Sequence, residues 1–269
     1  MTYWQDKVVV VTGGAAGLGK QLSTHFARSG AHVVLADRDQ DALERTTAEL
    51  AEHAGPVEGM PTDVTDQGSV DRLFTEVDKR FHHLDVLVNC AGRSGRGCVL
   101  DTSPETFQAF LDLNFLGTVR CTRAAAPRLL ASKGHLVNIG SLAAKVASAY
   151  LSAYPVSKFA VAAYSYQLRL ELGPQGLHVL LVCPGPIARG DAGRRYEDQA
   201  ENLPASARKA GGGARLKGID MDVLANRVLR ACQRRQPELI IPAKVRLLVA
   251  ILQLWPSLGD WIIRRNTET

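Results

Sequence analysis

Cysteine is scarce in this chain: there are five in 269 residues, and no two of them form a Cys-x-x-Cys pair. An odd number of widely spaced thiols does not predict a disulfide framework or a zinc site. We therefore expect reduced thiols packed in a core, as in cytoplasmic proteins. The five residues are Cys90, Cys98, Cys121, Cys183 and Cys232.

Long apolar runs are also missing from the sequence. No uninterrupted stretch approaches the roughly 18 residues that a membrane-spanning helix needs. Residues 1–6 lack the basic and then apolar pattern of a secretory signal. With 46% hydrophobic and 22% charged residues, the composition is ordinary for a soluble protein with a sizeable core. These features predict a cytoplasmic protein without a membrane span.

The excess of positive charge lies entirely in the last third of the chain. Residues 1–189 hold 18 Lys+Arg and 18 Asp+Glu, whereas residues 190–269 hold 14 and 9, which accounts for the net charge of +5. This asymmetry is too small to indicate nucleic-acid binding, and no nucleic-acid-binding motif accompanies it. We therefore expect no nucleic-acid partner.

The order of short and long patterns predicts the fold class. Unbroken β-branched runs such as residues 8–11 and 179–182 are typical of parallel strands covered on both faces. Six strand–helix units and a last strand predict one α/β domain, a Rossmann-like, doubly wound sheet of about seven parallel strands. We assign residues 1–242 to this domain and 243–269 to an apolar C-terminal helical tail. The predicted strands are 7–12, 32–36, 57–61, 85–89, 135–140, 178–183 and 238–241.

A glycine-rich turn joins the first strand to the first helix. Its pattern, Gly13-x-x-x-Gly17-Leu18-Gly19, is a spacing variant of the dinucleotide fingerprint. Such a turn lets the backbone approach a pyrophosphate and directs free N–H groups of a helix N-terminus towards it. A purely structural turn is the alternative, but the position after strand one favours a dinucleotide site.

Asp37 closes the second strand, 18 residues after Gly19 and near the ~20 expected for a carboxylate on the adenosine ribose. A carboxylate accepts hydrogen bonds from both ribose hydroxyls and repels a 2′-phosphate, so NAD is favoured over NADP. Arg38 keeps NADP possible, because a guanidinium binds phosphate. Capping of the next helix is the structural alternative for Asp37.

Two further strand ends supply candidate cofactor contacts. Asp63 and Val64 follow strand three, where they can meet the adenine edge or simply begin a helix. Asn89, Ala91 and Gly92 follow strand four, where small residues leave room for a cofactor. A structural role for Asn89, tying neighbouring loops together, is compatible with this.

Tyr154 and Lys158 are four residues apart, and in a helix they would share one face. A phenol has a pKa of roughly 10, and a nearby ammonium lowers that pKa by favouring the phenolate. Ser141 follows the fifth predicted strand. Hydride transfer to a carbonyl needs an acid, a hydrogen-bond donor to the oxygen and a cation behind the acid. Tyr154, Ser141 and Lys158 supply these three roles without a metal.

These motifs resemble those of the short-chain dehydrogenase/reductase family, in family order and over nearly the whole chain. They are Thr12-Gly13-x3-Gly17-x-Gly19, Asp63-Val64, Asn89-Cys90-Ala91-Gly92, Asn114, Ser141, Tyr154-x3-Lys158 and Pro184-Gly185. The resemblance implies that Tyr154 exchanges a proton with the substrate oxygen while hydride moves to or from the nicotinamide. Ser141 would bind that oxygen, and Lys158 would lower the Tyr154 pKa and hold the nicotinamide ribose.

The resemblance implies further roles for single positions. Asn114 would bind a water that links Lys158 to solvent, and Ile187 would contact the nicotinamide carboxamide through its backbone. Arg189 departs from the family, which commonly has threonine or serine there. A homodimer or homotetramer, formed through the helices that carry Asn114 and Tyr154, is also implied.

Two segments are expected to govern the substrate. Residues 189–218 are polar and glycine-rich, as in a substrate lid. The tail, residues 243–269, is too short to span a bilayer and too apolar for a free helix. It either packs on protein or lays Trp255 and Trp261 into an anionic membrane surface. The basic residues near those tryptophans are Lys244, Arg246, Arg264 and Arg265.

The sequence thus predicts an NAD(P)-dependent oxidoreductase that interconverts a secondary alcohol and a ketone. Either role of the tail suits an apolar substrate, and the tail resembles those of family members that act on sterols, retinoids or long-chain bases. A catalytically silent NAD(P) sensor or scaffold is the alternative, disfavoured because a sensor does not need Tyr154. A sugar-nucleotide epimerase of the extended relatives is disfavoured by the glycine spacing.

Overall fold

Seven parallel strands form a single sheet in the order β3-β2-β1-β4-β5-β6-β7. The structure is a computed structural model that describes residues 2–53, 55–188 and 196–267. The strands are β1 (Val8–Thr12), β2 (His32–Asp37), β3 (Val57–Pro61), β4 (Val86–Asn89), β5 (His135–Ile139), β6 (His178–Pro184) and β7 (Glu238–Ile241). The doubly wound sheet expected from the sequence is therefore confirmed.

Helices cover both faces of this sheet. The α-helices of the described residues are α1 (Gly17–Arg28), α2 (Gln40–His53), α3 (Gln67–Phe81), α4 (Pro104–Leu111), α5 (Gly117–Ala131), α6 (Tyr154–Leu172), α7 (Ala205–Arg208), α8 (Met221–Gln233), α9 (Val245–Leu254) and α10 (Pro256–Asn266). A five-residue π-helix, Asp112–Leu116, joins α4 to α5. Apolar residues of α1, α2 and α8 pack on one face, and those of α3, α5 and α6 on the other.

The unbroken valine run of β1 shows why the strands lack polar alternation. Successive side chains of a strand point to opposite faces. Val9 and Val11 belong to the α1–α8 core, and Val8 and Val10 belong to the α3–α5 core. Because both faces are covered by helices, every position of this strand is buried. The strand order reverses between β1 and β4, so a crevice opens beyond their carboxyl ends, the usual ligand position in such sheets.

The C-terminal helices α9 and α10 form a hairpin beside the last strand. Val245 of α9 packs with Ile240 of β7, and Gly259 of α10 lies against Leu252 of α9, leaving no space for a Cβ. The helical tail expected from the sequence is thus present. Within residues 2–53, 55–188 and 196–267, no helix has both the length and the apolar character needed to cross a bilayer.

Tyrosine and histidine side chains form a chain of hydrogen bonds at the end of the sheet opposite the crevice. His135 and His178 begin β5 and β6, and their Nδ1 atoms are 2.8 Å apart. His178 Nε2 donates to the Gln236 carbonyl at 2.8 Å, so its Nδ1 accepts from His135. His135 Nε2 then accepts from the Tyr3 hydroxyl at 2.9 Å. Ligand atoms of Cys232 and both histidines lie within 4.8 Å of one another. The imidazole–imidazole hydrogen bond uses both Nδ1 atoms. This group was not predicted from the sequence because its members are far apart along the chain.

Candidate active site

The glycine-rich turn is held by contacts that exclude a side chain at two of its positions. Gly13 has a φ of +64°, and a Cβ there would lie 2.9 Å from the Ala91 Cα. A Cβ on Gly19 would lie 1.9 Å from the Gly13 carbonyl oxygen. Gly17 begins α1, and Leu18 lines the pocket beside it. The turn therefore brings bare backbone and a helix N-terminus to the crevice, which suits a pyrophosphate.

Thr12 connects this turn to the end of β4. Its Oγ1 accepts hydrogen bonds from the backbone N–H groups of Cys90 and Ala91, both at 3.1 Å. It thus holds the two strand ends between which the crevice opens. From the sequence, Thr12 is part of a motif but has no assigned role. The one indication of its role is a hydroxyl at the end of an otherwise apolar strand.

Asp37 is the last residue of β2, and its side chain contacts the glycine-rich turn. Its carboxylate accepts from the N–H groups of Ala15, at 3.1 Å, and Asp39, at 3.2 Å. Asp39 in turn accepts from the Ala42 N–H at 3.0 Å and so caps the start of α2. Because Asp39 holds the capping position, Asp37 is left beside the turn, where a carboxylate can meet an adenosine ribose. Its contact with a cofactor stays a prediction.

Asp63 and Val64 are fixed by local contacts after β3. The N–H and hydroxyl of Thr65 donate to Asp63 Oδ1 at 2.8 and 2.7 Å. These hydrogen bonds, with a smaller effect of the exposed Arg38, hold the pKa of Asp63 below its usual value. Val64 is buried and packs on Gly117 of α5. Asp63 is therefore an anion near neutrality, and the cofactor roles of Asp63, Val64 and Arg38 stay predictions.

Asn89 faces the interior at the end of β4. Its Nδ2 donates to Thr122 Oγ1 at 3.0 Å and to Asn138 Oδ1 at 2.9 Å, joining β4 to α5 and β5. These hydrogen bonds give Asn89 a structural role between two strands and a helix rather than between loops, and its contact with a cofactor stays a prediction. Ala91 and Gly92 follow at the crevice, and a Cβ on Gly92 would lie 2.8 Å from the Asn114 amide oxygen.

Asn114 lies fully buried in the π-helix. Its Oδ1 accepts from the Arg93 N–H, and its Nδ2 donates to the Arg93 carbonyl and to Ser157 Oγ, all at 2.9 Å. The side chain therefore ties the loop after β4 to α6. Single π-turns inside helices are frequent at functional sites. The sequence held no signal for the π-turn, and the water-binding role of Asn114 stays a prediction.

Ser141, Tyr154 and Lys158 meet at the carboxyl end of β5. Ser141 follows this strand, accepts from the Ala143 N–H at 3.1 Å and hydrogen-bonds the Tyr154 hydroxyl. Tyr154 is the first residue of α6, and Lys158 lies one turn further along that helix. The Lys158 ammonium is buried and donates to the Ile139 carbonyl at 2.8 Å. A phenol, a hydroxyl and an amine thus share one end of the sheet.

Burial is the largest influence on the two ionisable groups. It raises the pKa of Tyr154, whereas the Ser141 hydrogen bond and the positive charge of Arg96 act in the opposite direction. Burial also lowers the pKa of Lys158 to about 8. Near neutrality the phenol is therefore protonated, as a proton donor must be, and most of the amine is charged. The expected effect of Lys158 on the Tyr154 pKa stays a prediction, and a cation that acts on Tyr154 here is Arg96.

Comparison with known proteins identifies the family. A family model described as short chain dehydrogenase matches residues 7–201. The chain belongs to this family. It is 31% identical over 261 residues to the dehydrogenase/reductase SDR family member 7B of Danio rerio, covering 94% of this chain and 83% of that protein. The resemblance inferred from the sequence motifs is confirmed.

Two solved structures are similar to this short-chain dehydrogenase. One, a short chain dehydrogenase/reductase from Burkholderia phymatum in complex with NAD, has a TM-score of 0.82 and 24% identity, covers 96% of each chain and shows the shared fold. The other, L-sorbose reductase from Gluconobacter frateurii complexed with NADPH and L-sorbose, has a TM-score of 0.78 and 25% identity. That match covers 88% of this chain and 95% of the reductase.

A pocket of about 470 Å³ opens beside Ser141, Tyr154 and Lys158 of this short-chain dehydrogenase. Ile187 lines it and is held by a short parallel bridge to Ile219. Arg189, the position that departs from the family pattern, lies outside the described residues. The described part of the expected substrate lid contributes Tyr196, Gly211, Ala214, Arg215 and Leu216 to the pocket wall. The hairpin contributes Lys244, Val245, Leu248, Ile262, Ile263 and Asn266.

Proposed function

We propose that the protein is an NAD(P)-dependent oxidoreductase that interconverts a secondary alcohol and a ketone. The observation that carries this proposal is the convergence of Ser141, Tyr154 and Lys158 on one pocket next to the glycine-rich turn. That turn fits a dinucleotide because Gly13 and Gly19 leave bare backbone where a Cβ would collide. The reductase from Gluconobacter frateurii, which holds NADPH, supports a nicotinamide cofactor.

The chemistry follows from the residues of the pocket. A bound nicotinamide would supply or accept the hydride. In the reductive direction the Tyr154 hydroxyl donates its proton to the carbonyl oxygen, and the Ser141 hydroxyl binds the charge that develops on that oxygen. The Lys158 ammonium stabilises the phenolate that remains. Oxidation of an alcohol uses the same groups in reverse, with Tyr154 as the base.

The site residues and segments assigned from the sequence belong to this proposal. It includes the domain at residues 1–242, the lid at 189–218, the tail at 243–269 and a location in the cytoplasm. A homodimer or homotetramer is also included. Exposed apolar side chains support such an assembly, since Leu116 lies near Asn114, and Val156 and Phe159 lie near Tyr154.

An apolar substrate is proposed from the part of the pocket wall that the hairpin and the loop before it supply. Polar side chains such as Arg215 and Asn266 occur there, but several of the side chains are hydrocarbon, among them Leu216, Leu248, Ile262 and Ile263. The test is a cofactor-oxidation screen with ketones of increasing chain length, run with NADH and with NADPH. Each buried methylene contributes about 0.8 kcal/mol, so kcat/KM should rise about fourfold per added carbon until the wall is covered. A flat dependence would exclude the apolar substrate, and no turnover with any ketone would favour a silent NAD(P)-binding protein.

Replacement of Asp37 by alanine is expected to lower the ratio of kcat/KM with NADH to kcat/KM with NADPH by about tenfold or more, equivalent to about 1.4 kcal/mol. The physical reason is that the carboxylate repels a 2′-phosphate and accepts from ribose hydroxyls. Asp39→Ala is the matched control, because it removes an exposed carboxylate two residues away that only caps α2. An equal ratio in the parent and Asp37→Ala proteins would show that Asp37 does not select the cofactor.

Peripheral contact with an anionic membrane is proposed for the outer face of the hairpin. Leu254, Trp255 and Trp261 are 67%, 60% and 54% exposed, and they lie at or near the turn between α9 and α10. Exposed apolar residues grouped in this way indicate an interaction surface. The basic residues Arg246, Arg264 and Arg265 lie on the same two helices and suit anionic headgroups, and Lys244, which also lines the pocket, directly precedes α9. Since the inner face of the hairpin lines the pocket, an apolar substrate could enter from lipid.

Vesicle binding tests this contact. We expect the protein to sediment with vesicles of anionic lipid more than with zwitterionic vesicles, and Trp255→Ser/Trp261→Ser to weaken the anionic partition about tenfold. Leu100→Ser, which changes an exposed side chain outside the hairpin, is the control. Equal partition of the parent and double variant would exclude membrane contact. A parent dimer that the double variant dissociates, without vesicle binding, would instead assign this face to a second copy.

A further inference from the structure

Arg96 lies in the loop after β4, on a stretch that pairs with the segment leading into Tyr154. The next residue, Gly97, donates its N–H to the Tyr150 carbonyl and accepts from the Ser152 N–H, both at 3.2 Å. Tyr150 and Ser152 have positive φ angles of 62° and 50°, which are uncommon for residues other than glycine. The backbone at Arg96 is thus fixed to the loop that positions Tyr154.

The Arg96 side chain binds a second segment of the chain. It is 8% exposed, and its Nε and Nη2 donate to the carbonyls of Ala207, at 2.5 Å, and Lys209, at 3.0 Å. Its Nη1 donates to the carbonyl of Gly95 at 2.9 Å. Ala207 and Lys209 belong to the covering segment, defined here as residues 196–213, which contributes to the pocket wall. One guanidinium therefore joins this segment to the loop after β4.

Tyr196, at the start of the covering segment, makes the third contact. Its ring centre is 3.7 Å from the Arg96 guanidinium carbon, a cation–π arrangement. Its hydroxyl is 2.5 Å from Ser94 Oγ. Gln199 of the same segment accepts from the Arg96 N–H at 3.0 Å. Ring, hydroxyl and amide together hold the start of the segment against the loop, and Tyr196 faces the pocket that Tyr154 also lines.

Lysine could not replace arginine in this position. A guanidinium presents five donors in one plane and stacks on aromatic rings, whereas an ammonium is a compact point charge. Three different nitrogens of the Arg96 guanidinium bind three backbone carbonyls, one in the loop after β4 and two in the covering segment. Arg96 lines the same pocket as Tyr154, and its positive charge opposes the rise in the Tyr154 pKa that burial causes.

We propose that Arg96 is a positioning residue that closes the covering segment over the substrate pocket and places the Tyr196 ring and hydroxyl in its wall, beside Tyr154. In this arrangement the segment acts as part of the binding site only while the guanidinium holds it. Arg96 thus determines how tightly the substrate is bound and places a positive charge in the pocket that Tyr154 also lines. The kinetic part of this inference rests on the proposed function.

The kinetic test compares Arg96→Gln with Arg96→Lys. Both variants lose the planar donor set, so we expect the KM for the ketone to rise about tenfold or more, with the cofactor dissociation constant unchanged. In alcohol oxidation Tyr154 must lose its proton. The rising limb of the pH profile of kcat/KM should therefore move to higher pH in Arg96→Gln and stay in place in Arg96→Lys, which keeps the charge. Identical pH profiles for the two variants, or an unchanged KM, would overturn the proposal.

Arg208→Gln is the matched control, since Arg208 is exposed on the covering segment and does not line the pocket. It should leave both KM and the pH profile unchanged. If it raised KM as much as Arg96→Gln, the effect would belong to the charge of the segment rather than to its attachment, and the proposal would fail.

Hydrogen exchange provides a test that does not need activity. The amides of Ala207, Lys209 and Gly212 bond within the covering segment. Their exchange should be about tenfold faster in Arg96→Gln than in the parent protein. Should that variant not fold, Tyr196→Leu keeps Arg96 but removes the ring that the guanidinium stacks on and the hydroxyl contact with Ser94, and it is expected to accelerate the same amides. Unchanged exchange would overturn the inference even in an active oxidoreductase, whereas accelerated exchange without any ketone turnover would contradict only the proposed function.

Discussion

Tyr154→Phe is expected to lower turnover by about 10³-fold, within the range of 10²–10⁴ that a positioned general acid contributes. The reason is local. The variant keeps the ring at the first position of α6 but removes the hydroxyl that hydrogen-bonds Ser141 and donates the proton. The cofactor dissociation constant should stay within about twofold, because the change removes a transition-state interaction rather than a binding one. Turnover is measured with a responsive ketone and cofactor binding by fluorescence titration.

Tyr164→Phe is the matched control for this experiment. Tyr164 is on the same helix and packs with the core near Phe115, outside the pocket lining. Its loss of a hydroxyl should leave turnover within about twofold of the parent value. A Tyr154→Phe enzyme that retained a tenth or more of the parent turnover would show that another group protonates the substrate. The assignment of Tyr154 would then be wrong, even with the family membership intact.

Acidification from pH 6.5 to about pH 4 is expected to cost the fold about 3 kcal/mol through His135 alone. Burial, with smaller effects from His178 and nearby cations, lowers the pKa of His135 from 6.5 to about 3. Between these two values the unfolded chain binds a proton that the folded protein does not. Stability is therefore complete above the unfolded pKa and declines as the pH falls towards the folded pKa. Burial also lowers the pKa of His178, so protonation of His178 destabilises the folded protein in acid as well.

Urea unfolding at a series of pH values measures this effect. His135→Gln should flatten the dependence of the unfolding free energy on pH in this window, because glutamine does not titrate. Its stability near neutrality should fall as well, since the hydrogen bonds to Tyr3 and His178 change. His82→Gln, at an exposed histidine, is the control and should keep the parent slope. If the His135→Gln slope equalled the parent slope, neutral burial of His135 would not be the cause of the acid sensitivity.

Much of this fold was predictable because its signals are local. Each predicted strand corresponds to an observed one, with ends that differ by a residue at most. The strands could be recognised because burial on both faces requires unbroken apolar runs, as in β1. The start of α4 shows the same kind of local signal, because Ser103 caps the helix and Pro104 occupies its first position. Such patterns depend on neighbours within one or two turns along the chain.

The candidate site was predictable to the extent that it follows strand ends. Asp37 and Ser141 could be placed because parallel strands bring their carboxyl ends to one edge of the sheet. Asn89 shows the limit of this reasoning. Asn89 is the last residue of β4, where the predicted strand also ends, but the direction of its amide, towards Thr122 and Asn138 in the interior, depended on the polar groups of α5 and β5.

The sequence by itself determined the order of strands and helices, the glycine-rich turn, the spacing of Tyr154 and Lys158 and the family. Only the tertiary structure showed the attachment of the covering segment and the histidine chain. Arg96 binds carbonyls that lie 111 and 113 residues further along the chain. Every residue carries a backbone carbonyl, so the sequence does not indicate which carbonyls a buried guanidinium will bind. Packing of distant segments decides such contacts, whereas periodicity and spacing are properties of the chain itself.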